Sequence, residues 1–130
     1  MDTLILRPHL RKGPVFVCEI QGAALVLTPH GPLGNLHETE IVQETTEILE
    51  FVNHSSPTNL VIDLQQGDYA GSSFIGAVIR WWKRVGQTGG RLALCHVSEN
   101  VIQVLRASKL HTTWPIYISR DEAVRAVGGL

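Results

Sequence analysis

The chain has 130 residues, of which 44% are hydrophobic and 18% are charged, and these values are typical of one globular domain. They exclude a disordered tail and a collagen-like repeat, and a chain of this size can bury a core without a disulfide or metal staple. Its 11 basic and 12 acidic residues give a formal net charge of −1, which provides no general attraction to nucleic acid or acidic membranes. Because copies repel each other weakly, we expect a monomer or a weak homodimer.

The N-terminal residues 1–13 are predicted to form an extension that precedes a single domain over residues 14–130. They lack the basic start, long apolar middle and cleavage site of a signal peptide, and no apolar run approaches the roughly 18 residues of a membrane span. We therefore expect a cytoplasmic protein. Cys18 and Cys95 each lie inside an apolar run and are interpreted as buried thiols, although the sequence leaves open one disulfide between them.

The first half of the domain shows a strand, strand, helix, strand pattern. Residues 15–20 and 23–28 are apolar runs around a glycine turn signal and predict a hairpin. Apolar residues at helical spacing, with glutamates on the other side, predict a helix over residues 36–52. The continuous apolar run at 60–64 contains one acid and is typical of a central strand that is covered on both faces.

The second half alternates helices and strands. The strongest helical pattern in the chain places these residues on one face: Ile75, Val78, Ile79, Trp82 and Val85. Residues 91–97 and 114–118 predict two further strands, and Ser98 and Ser119 are the predicted N-caps of the helices that follow them. The complete order predicts an α/β fold in which helices pack on a central mixed, largely parallel sheet.

Several local patterns fall short of a catalytic or metal site. A nucleophile elbow needs glycine two residues after its serine, but Phe74 and Ile75 occupy those positions, so a serine hydrolase is only a remote alternative. The chain has no Cys-x-x-Cys motif, no histidine pair at helical spacing and no phosphate-binding loop. Cys95 and His96 are adjacent in a predicted strand, so their side chains are expected on opposite faces. We expect no catalytic residue, no metal and no cofactor.

Residues 80–84 form a basic and aromatic segment. Such a segment could stack on single-stranded nucleic acid, but the near-neutral net charge favours the solvated side of an amphipathic helix. Trp82 lies on the apolar stripe of that helix, whereas Trp81 lies off it. We therefore expect Trp81 to be exposed, and an exposed tryptophan is typical of a protein interface.

Ser72 lies where the predicted buried strand leads into the strongest helix, and ligand sites in open α/β sheets gather at the carboxyl ends of strands. Its hydroxyl could be a simple helix cap. Alternatively, it could accept a phosphoryl group, whose charge of about −1.5 to −2 would meet the positive end of the helix dipole. If a partner docks on this surface, the added charge would weaken binding without any active site.

Residues 60–64 and 72–79 resemble the signature of the STAS domain, which occurs in bacterial anti-sigma factor antagonists and in the tails of sulfate transporters. Residues 89–94, 98–110 and 115–124 resemble the strand, the helix and the closing segment that follow the signature in this family. The resemblance is looser before residue 60. The compact α/β fold of the family agrees with the order of elements predicted above.

The resemblance implies a partner-switching regulator of sigma-factor-dependent transcription that is not an enzyme. In the family, the unphosphorylated antagonist binds an anti-sigma factor, often a serine kinase, and so frees the sigma factor. The kinase phosphorylates the position of Ser72, and a phosphatase reverses the modification. An alternative is an accessory subunit that docks on a lipid or anion transporter ATPase.

The predicted partner-binding surface surrounds Ser72. It comprises Gly34, Asn35, Asp68, Tyr69, Gly71, Ser73 and Phe74. The chain departs from the family pattern at three of these positions, because Gly34 and Gly71 stand where aspartate is usual and Phe74 stands where glycine is usual. The missing acids would weaken recognition by a kinase or nucleotide, and Phe74 would add an apolar side chain beside the switch.

Overall fold

The computed structural model describes residues 11–12, 16–29, 59–65 and 72–128. These ranges contain one six-stranded sheet, three α-helices and a short 3-10 turn. The strands are β1 (Arg11–Lys12), β2 (Phe16–Gln21), β3 (Ala24–Pro29), β4 (Asn59–Asp63), β5 (Leu92–Cys95) and β6 (Ile116–Tyr117). The helices are α1 (Ser72–Gln87), α2 (Glu99–Ala107) and α3 (Arg120–Val127), with the 3-10 turn Leu110–Thr112 between α2 and β6. The helix predicted over residues 36–52 lies outside the described residues.

The six strands follow one another across the sheet in chain order. β1, β2 and β3 are antiparallel neighbours, whereas β3, β4, β5 and β6 are parallel to one another. This mixed, largely parallel sheet with its helices confirms the predicted α/β fold. The sequence did not predict β1, which lies within the expected N-terminal extension. Arg11 of this strand pairs with Cys18 of β2.

A tight turn at Gly22 and Ala23 joins β2 to β3, which confirms the predicted hairpin. Gly22 has a φ of 59°, a left-handed conformation that glycine adopts without steric cost. A Cβ at this position would also lie 3.2 Å from Val124 Cγ1 of α3. The turn therefore requires glycine both for its backbone and for the close approach of α3.

The second and third helices begin at the predicted caps. The Ser98 hydroxyl accepts a hydrogen bond from the Val101 amide, and the Ser119 hydroxyl accepts one from the Glu122 amide, each at 3.2 Å. The two strands that precede these helices are each shorter than predicted, by one or two residues at both ends. None of the described helices is long and apolar enough to cross a membrane.

One face of the sheet is covered by α1 and α2, which build the larger part of the core. Trp81 and Trp114 are the two largest side chains in this core, and Trp81 is 0% exposed. Its ring packs edge-on against Phe16 and Phe74, with centroid distances of 5.1 and 6.4 Å. The prediction that Trp81 is exposed is therefore wrong.

The buried stripe of α1 is displaced from the predicted stripe. Its buried members are Phe74, Ala77, Val78, Trp81 and Val85, and its partly buried border consists of Ile75, Ile79 and Trp82. Both sets are apolar and have helical spacing, so periodicity alone does not say which of them faces the sheet. Contact with Phe16 of β2 turns the Trp81 side of the helix inward.

The opposite face of the sheet is covered by α3. Its residues Ala123, Val124 and Val127 pack on Ala24, Val26, Val61, Ala93 and Cys95 of the central strands. Successive residues of β4 therefore alternate between two cores, with Leu60 and Ile62 facing α1 and Val61 facing α3. This arrangement confirms the prediction that the continuous apolar run forms a strand covered on both faces.

Cys18 and Cys95 are both buried thiols, as predicted. Cys18 of β2 belongs to the core under α1, whereas Cys95 of β5 belongs to the core under α3. β3 and β4 lie between the two strands, which separates the cysteines by roughly 14 Å at the usual strand spacing. A disulfide requires Cα atoms within about 7 Å, so the single-disulfide alternative does not hold.

Candidate functional site

The start of α1 is the place where the sequence predicts a phosphorylation switch. The helix begins at Ser72 and continues through Ser73. Because α1 connects the parallel strands β4 and β5, its N-terminus lies at the edge of the sheet where those strands end. Its first turn contains no acidic residue, so no side chain of that turn offsets the positive end of the helix dipole.

Most of the predicted partner-binding surface lies outside the described residues, namely Gly34, Asn35, Asp68, Tyr69 and Gly71. Phe74 is described, and it is only 3% exposed and packs against Trp81. Its assignment to the partner-binding surface is therefore wrong. The reason is helical geometry, since Phe74 and Trp81 are two turns apart and lie on the same inward stripe of α1.

A partly buried polar cluster lies at the same edge of the sheet, where β4 and β5 end. It comprises Glu19, Asp63, Cys95, His96 and Arg120, and we call it the edge cluster. Its centre is Asp63, the last residue of β4, which is 0% exposed. Asp63 Oδ1 accepts a hydrogen bond from the Gln65 amide at 3.1 Å, and Oδ2 accepts one from Gln65 Nε2 at 3.1 Å. A buried carboxylate requires such partners, and it also requires positive charge.

Arg120, the first residue of α3, supplies that charge. Its Nε donates to Asp63 Oδ2 at 2.9 Å, its Nη1 donates to Glu19 Oε1 at 3.0 Å, and its Nη2 donates to Thr28 Oγ1 at 3.2 Å. Burial by itself lowers the pKa of Arg120, but the hydrogen bonds and charges of Asp63 and Glu19 outweigh burial and raise the pKa. One guanidinium thus joins α3 to β2, β3 and β4.

His96 reaches Asp63 because the chain turns sharply at the end of β5. Its φ of 54° lies in the left-handed region, which few residues other than glycine adopt. The turn places His96 Nδ1 2.8 Å from Asp63 Oδ1, within hydrogen-bond distance, while the side chain keeps 35% of its surface exposed. The prediction that Cys95 and His96 lie on opposite faces is therefore wrong, because strand alternation stops at this left-handed residue.

Cys95, the last residue of β5 and the cross-strand partner of Asp63, completes the cluster. Its burial, followed by the charge of Asp63, raises the pKa of the thiol to about 12, so the thiol is protonated at neutral pH. The sulfur of Cys95, a carboxylate oxygen of Asp63 and a ring nitrogen of His96 all lie within 4.8 Å of one another. The structure therefore gathers a sulfur, an oxygen and a nitrogen donor at one point.

Sequence reasoning noticed two parts of the edge cluster separately, namely the single acid in the apolar run of β4 and the adjacent residues Cys95 and His96, but it did not bring them together. Register explains the pairing with Cys95, since Asp63 and Cys95 are direct partners across β4 and β5. Arg120 lies 57 residues from Asp63 and 101 residues from Glu19 along the chain. No local pattern could have joined residues at those separations.

Comparison with known proteins identifies the family of the sequence. Residues 16–123 match the family model of the STAS domain. The anti-sigma F factor antagonist of Paenibacillus polymyxa is 28% identical to this chain over 91 residues, which make up 70% of this chain and 74% of that protein.

Solved structures show the same fold. The anti-sigma-factor antagonist (STAS) domain protein of Planctomyces limnophilus is 30% identical, with a TM-score of 0.72 over 88% of this chain and 98% of that one. The Bacillus cell fate determinant SpoIIAA in its phosphorylated form is 19% identical, with a TM-score of 0.66 over 86% of this chain and 98% of that one. Since the family model matches this sequence from the start of β2 into α3, the chain belongs to the STAS domain family.

Proposed function

We propose that this protein is an anti-sigma factor antagonist, which binds an anti-sigma factor and so controls transcription by the corresponding sigma factor. The support is the family itself, together with similarity to proteins that are named as such antagonists in Paenibacillus polymyxa and Planctomyces limnophilus. We further propose that phosphorylation of Ser72 switches this binding off. The single observation behind the switch is the position of Ser72 as the first residue of α1.

A phosphoryl group at Ser72 is compatible with the fold. It would carry a charge of about −1.5 to −2 to the positive end of a helix of 16 residues, where a negative charge is stabilised by about 0.3–1 kcal/mol. The first turn of α1 has no acidic residue that would repel the group. We therefore expect the modified chain to keep its structure, while the charge of the docking surface changes.

The loss of binding follows from that change of charge. An unphosphorylated serine at a helix start is small and neutral, so a partner can cover it without desolvating a charge. A phosphoryl dianion would have to lose its water shell or would meet acidic groups of the partner, and either effect opposes association. A tenfold weakening requires only about 1.4 kcal/mol, which is small against the cost of burying an unpaired charge.

The proposed cycle needs two further proteins. A serine kinase, which is the anti-sigma factor itself or a separate enzyme, transfers the terminal phosphoryl group of ATP to Ser72 Oγ, and the hydroxyl proton leaves. A phosphatase hydrolyses the ester and restores the serine. In this cycle the chain is a substrate and a binding module, and it performs no catalysis of its own.

The buried position of Phe74 bears on the departure from the family pattern at that residue. Its side chain packs on Trp81 inside the domain, so the change from the usual glycine adds to the core and adds nothing to the docking surface. The proposed docking surface then consists of Ser72, Ser73 and the predicted loop residues.

The proposal is tested by binding of purified anti-sigma factor to four forms of the full chain. We expect wild type and Ser72→Ala to bind equally and Ser72→Asp to bind at least about tenfold more weakly, because an aspartate carries part of the phosphoryl charge. Gln103→Glu is the matched control, since it adds one negative charge at an exposed position of α2, away from the start of α1, and it should bind as wild type does. Equal affinity of Ser72→Asp and Gln103→Glu would contradict the switch.

Two further measurements separate the switch from the binding function. Incubation with the kinase and ATP, followed by mass spectrometry, should add one phosphoryl group to wild type and none to Ser72→Ala. Affinity purification from cells should recover an anti-sigma factor. Recovery of a transport ATPase without any sigma regulator would contradict the antagonist function and would support the accessory-subunit alternative.

A further inference from the structure

We propose that Asp63, Cys95 and His96 form a binding site for one Zn²⁺ ion, held by a carboxylate oxygen, a thiolate sulfur and an imidazole nitrogen. This inference is independent of the proposed antagonist function. It starts from the edge cluster, where the three donor atoms lie within 4.8 Å of one another. Such a combination of ligands, with sulfur, nitrogen and oxygen, is one that Zn²⁺ binds in proteins.

The present distances are close to those of an occupied site. Bonds of about 2.0–2.3 Å in a tetrahedral arrangement place neighbouring ligand atoms about 3.5 Å apart. His96 Nδ1 and Asp63 Oδ1 are now 2.8 Å apart and would separate slightly, and the distances to the Cys95 sulfur, which are at most 4.8 Å, would shorten by no more than about 1.3 Å.

The ligand types select the kind of ion. Sulfur is a soft ligand that favours Zn²⁺ and disfavours Mg²⁺ and Ca²⁺, which prefer oxygen atoms only. Three protein ligands leave a fourth position for water. His96 is 35% exposed, so the ion and its water have a route from solvent, although Asp63 and Cys95 are buried.

The surroundings of Asp63 are those of a metal-bound carboxylate. Arg120 Nε and Gln65 Nε2 donate to Oδ2, and the Gln65 amide donates to Oδ1, which also lies 2.8 Å from His96 Nδ1; together these contacts fix the orientation of the carboxylate. Hydrogen bonds of this kind to the second oxygen are a regular feature of metal sites. The positive charge of Arg120 does not exclude a cation, because Glu19 already pairs with it at 3.0 Å.

The charge of the edge cluster favours uptake of one divalent cation. The carboxylates of Asp63 and Glu19 carry two formal negative charges and the guanidinium of Arg120 carries one positive charge, so these three groups together carry one negative charge. A Zn²⁺ ion that replaces the thiol proton of Cys95 adds one net positive charge and makes the cluster neutral. In this step the Sγ–H bond breaks, a Zn–S bond forms, and the thiol proton passes to solvent. The proton that His96 Nδ1 shares with Asp63 Oδ1 moves through solvent to Nε2, so that the Nδ1 lone pair can bind the ion.

The test is a titration of the metal-free full chain, with Co²⁺ followed by absorption spectroscopy and with Zn²⁺ followed by calorimetry. We expect one ion per chain, a thiolate-to-cobalt charge-transfer band, and the visible bands of four-coordinate Co²⁺, all of which disappear when Zn²⁺ displaces the Co²⁺. Zn²⁺ should also raise the unfolding temperature, because it binds only the folded arrangement of ligands.

Variants assign the ion to these residues. Cys95→Ser should abolish the charge-transfer band, and His96→Gln should weaken binding at least about tenfold. Cys18→Ser and His111→Gln are the matched controls and should bind Co²⁺ as wild type does. If Cys95→Ser does not fold, His96→Gln decides, because the His96 side chain is partly exposed and its replacement leaves the core intact.

Three results would overturn the site. The first is the absence of stoichiometric binding by the wild-type chain. The second is a charge-transfer band that depends on Cys18 and survives Cys95→Ser. The third is Zn²⁺ affinity that His96→Gln leaves unchanged, which would indicate binding to histidines elsewhere. Ser72→Ala should bind the ion normally, so failure of this site and failure of the phosphorylation switch are distinguishable.

Discussion

The carboxylate of Asp63 and the guanidinium of Arg120 meet at 2.9 Å across 57 residues of sequence, and the carboxylate is completely buried. Because Asp63 ends β4 and Arg120 begins α3, this pair sets the position at which α3 starts to cross the sheet. A buried charge whose partner is removed is expensive, whereas a buried pair as a whole contributes little net stability. The contact therefore fixes the position of α3 on the sheet more than it adds to the net stability of the fold.

Removal of one partner should destabilise the fold strongly. We expect Arg120→Met to lower the free energy of unfolding by about 3 kcal/mol, because the buried carboxylate of Asp63 then lacks the guanidinium that pairs with it. The estimate is at the low end of the range for buried pairs, since the Arg120 side chain keeps 23% of its surface exposed. Urea unfolding followed by circular dichroism measures the difference. Arg125→Met, at an exposed position of the same helix, is the control and should change stability by less than about 0.5 kcal/mol.

A double-mutant cycle provides a second check on this pair. Asp63→Leu combined with Arg120→Met should be less destabilising than the sum of the two single changes, because the double variant leaves no buried charge alone. Simple additivity of the two effects would show that the ion pair has no energetic coupling.

Phe74 should behave as a core residue. We expect Phe74→Ala to lower the free energy of unfolding by about 3–4 kcal/mol, because it leaves a cavity beside the buried side chain of Trp81. The control is Lys83→Ala, at an exposed position of the same helix, which should be nearly neutral. A change near zero for Phe74→Ala would restore the interpretation of residue 74 as part of the partner surface.

Gly22 should tolerate no side chain. Gly22→Ala is expected to destabilise the protein by about 1–2 kcal/mol, because the left-handed backbone disfavours alanine and the new Cβ would crowd Val124. Thermal unfolding of the variant and of wild type measures the effect. An unchanged transition would mean that the turn can adopt another conformation.

Gly76 presents the opposite case. It lies inside α1, and a Cβ built there meets no described atom within 4 Å. Gly76→Ala should therefore raise the free energy of unfolding by about 0.5–1 kcal/mol, through the better helix propensity of alanine. Chemical denaturation compares the variant with wild type, and a decrease in stability would reveal a close neighbour at this position.

Local features of the sequence were sufficient for the order and type of the described elements from β2 to α3, although they did not predict β1. The hairpin around Gly22, the buried strand β4, and the helices capped by Ser98 and Ser119 all follow from spacing and capping within a few residues. These signals are reliable because the interactions behind them are themselves local, such as the hydrogen bond from the Val101 amide to Ser98.

It was harder to predict which side chains of a helix point inward where two neighbouring sets of residues both have helical spacing. Trp81 and Trp82 both extend an apolar stripe of α1, and only contact with Phe16 and Phe74 shows that Trp81 is the buried one. An amphipathic pattern determines that a helix has an inner face, but the partner surface determines where the centre of that face lies.

The sequence by itself determined an α/β domain with a serine at the start of its strongest helix, because short-range periodicity and turn chemistry specify such elements. Only the tertiary structure decided that Asp63, Cys95, His96 and Arg120 meet at one edge of the sheet. Their contacts depend on strand register, on a left-handed residue at the end of β5 and on the crossing of α3, and none of these is encoded by neighbours in the chain.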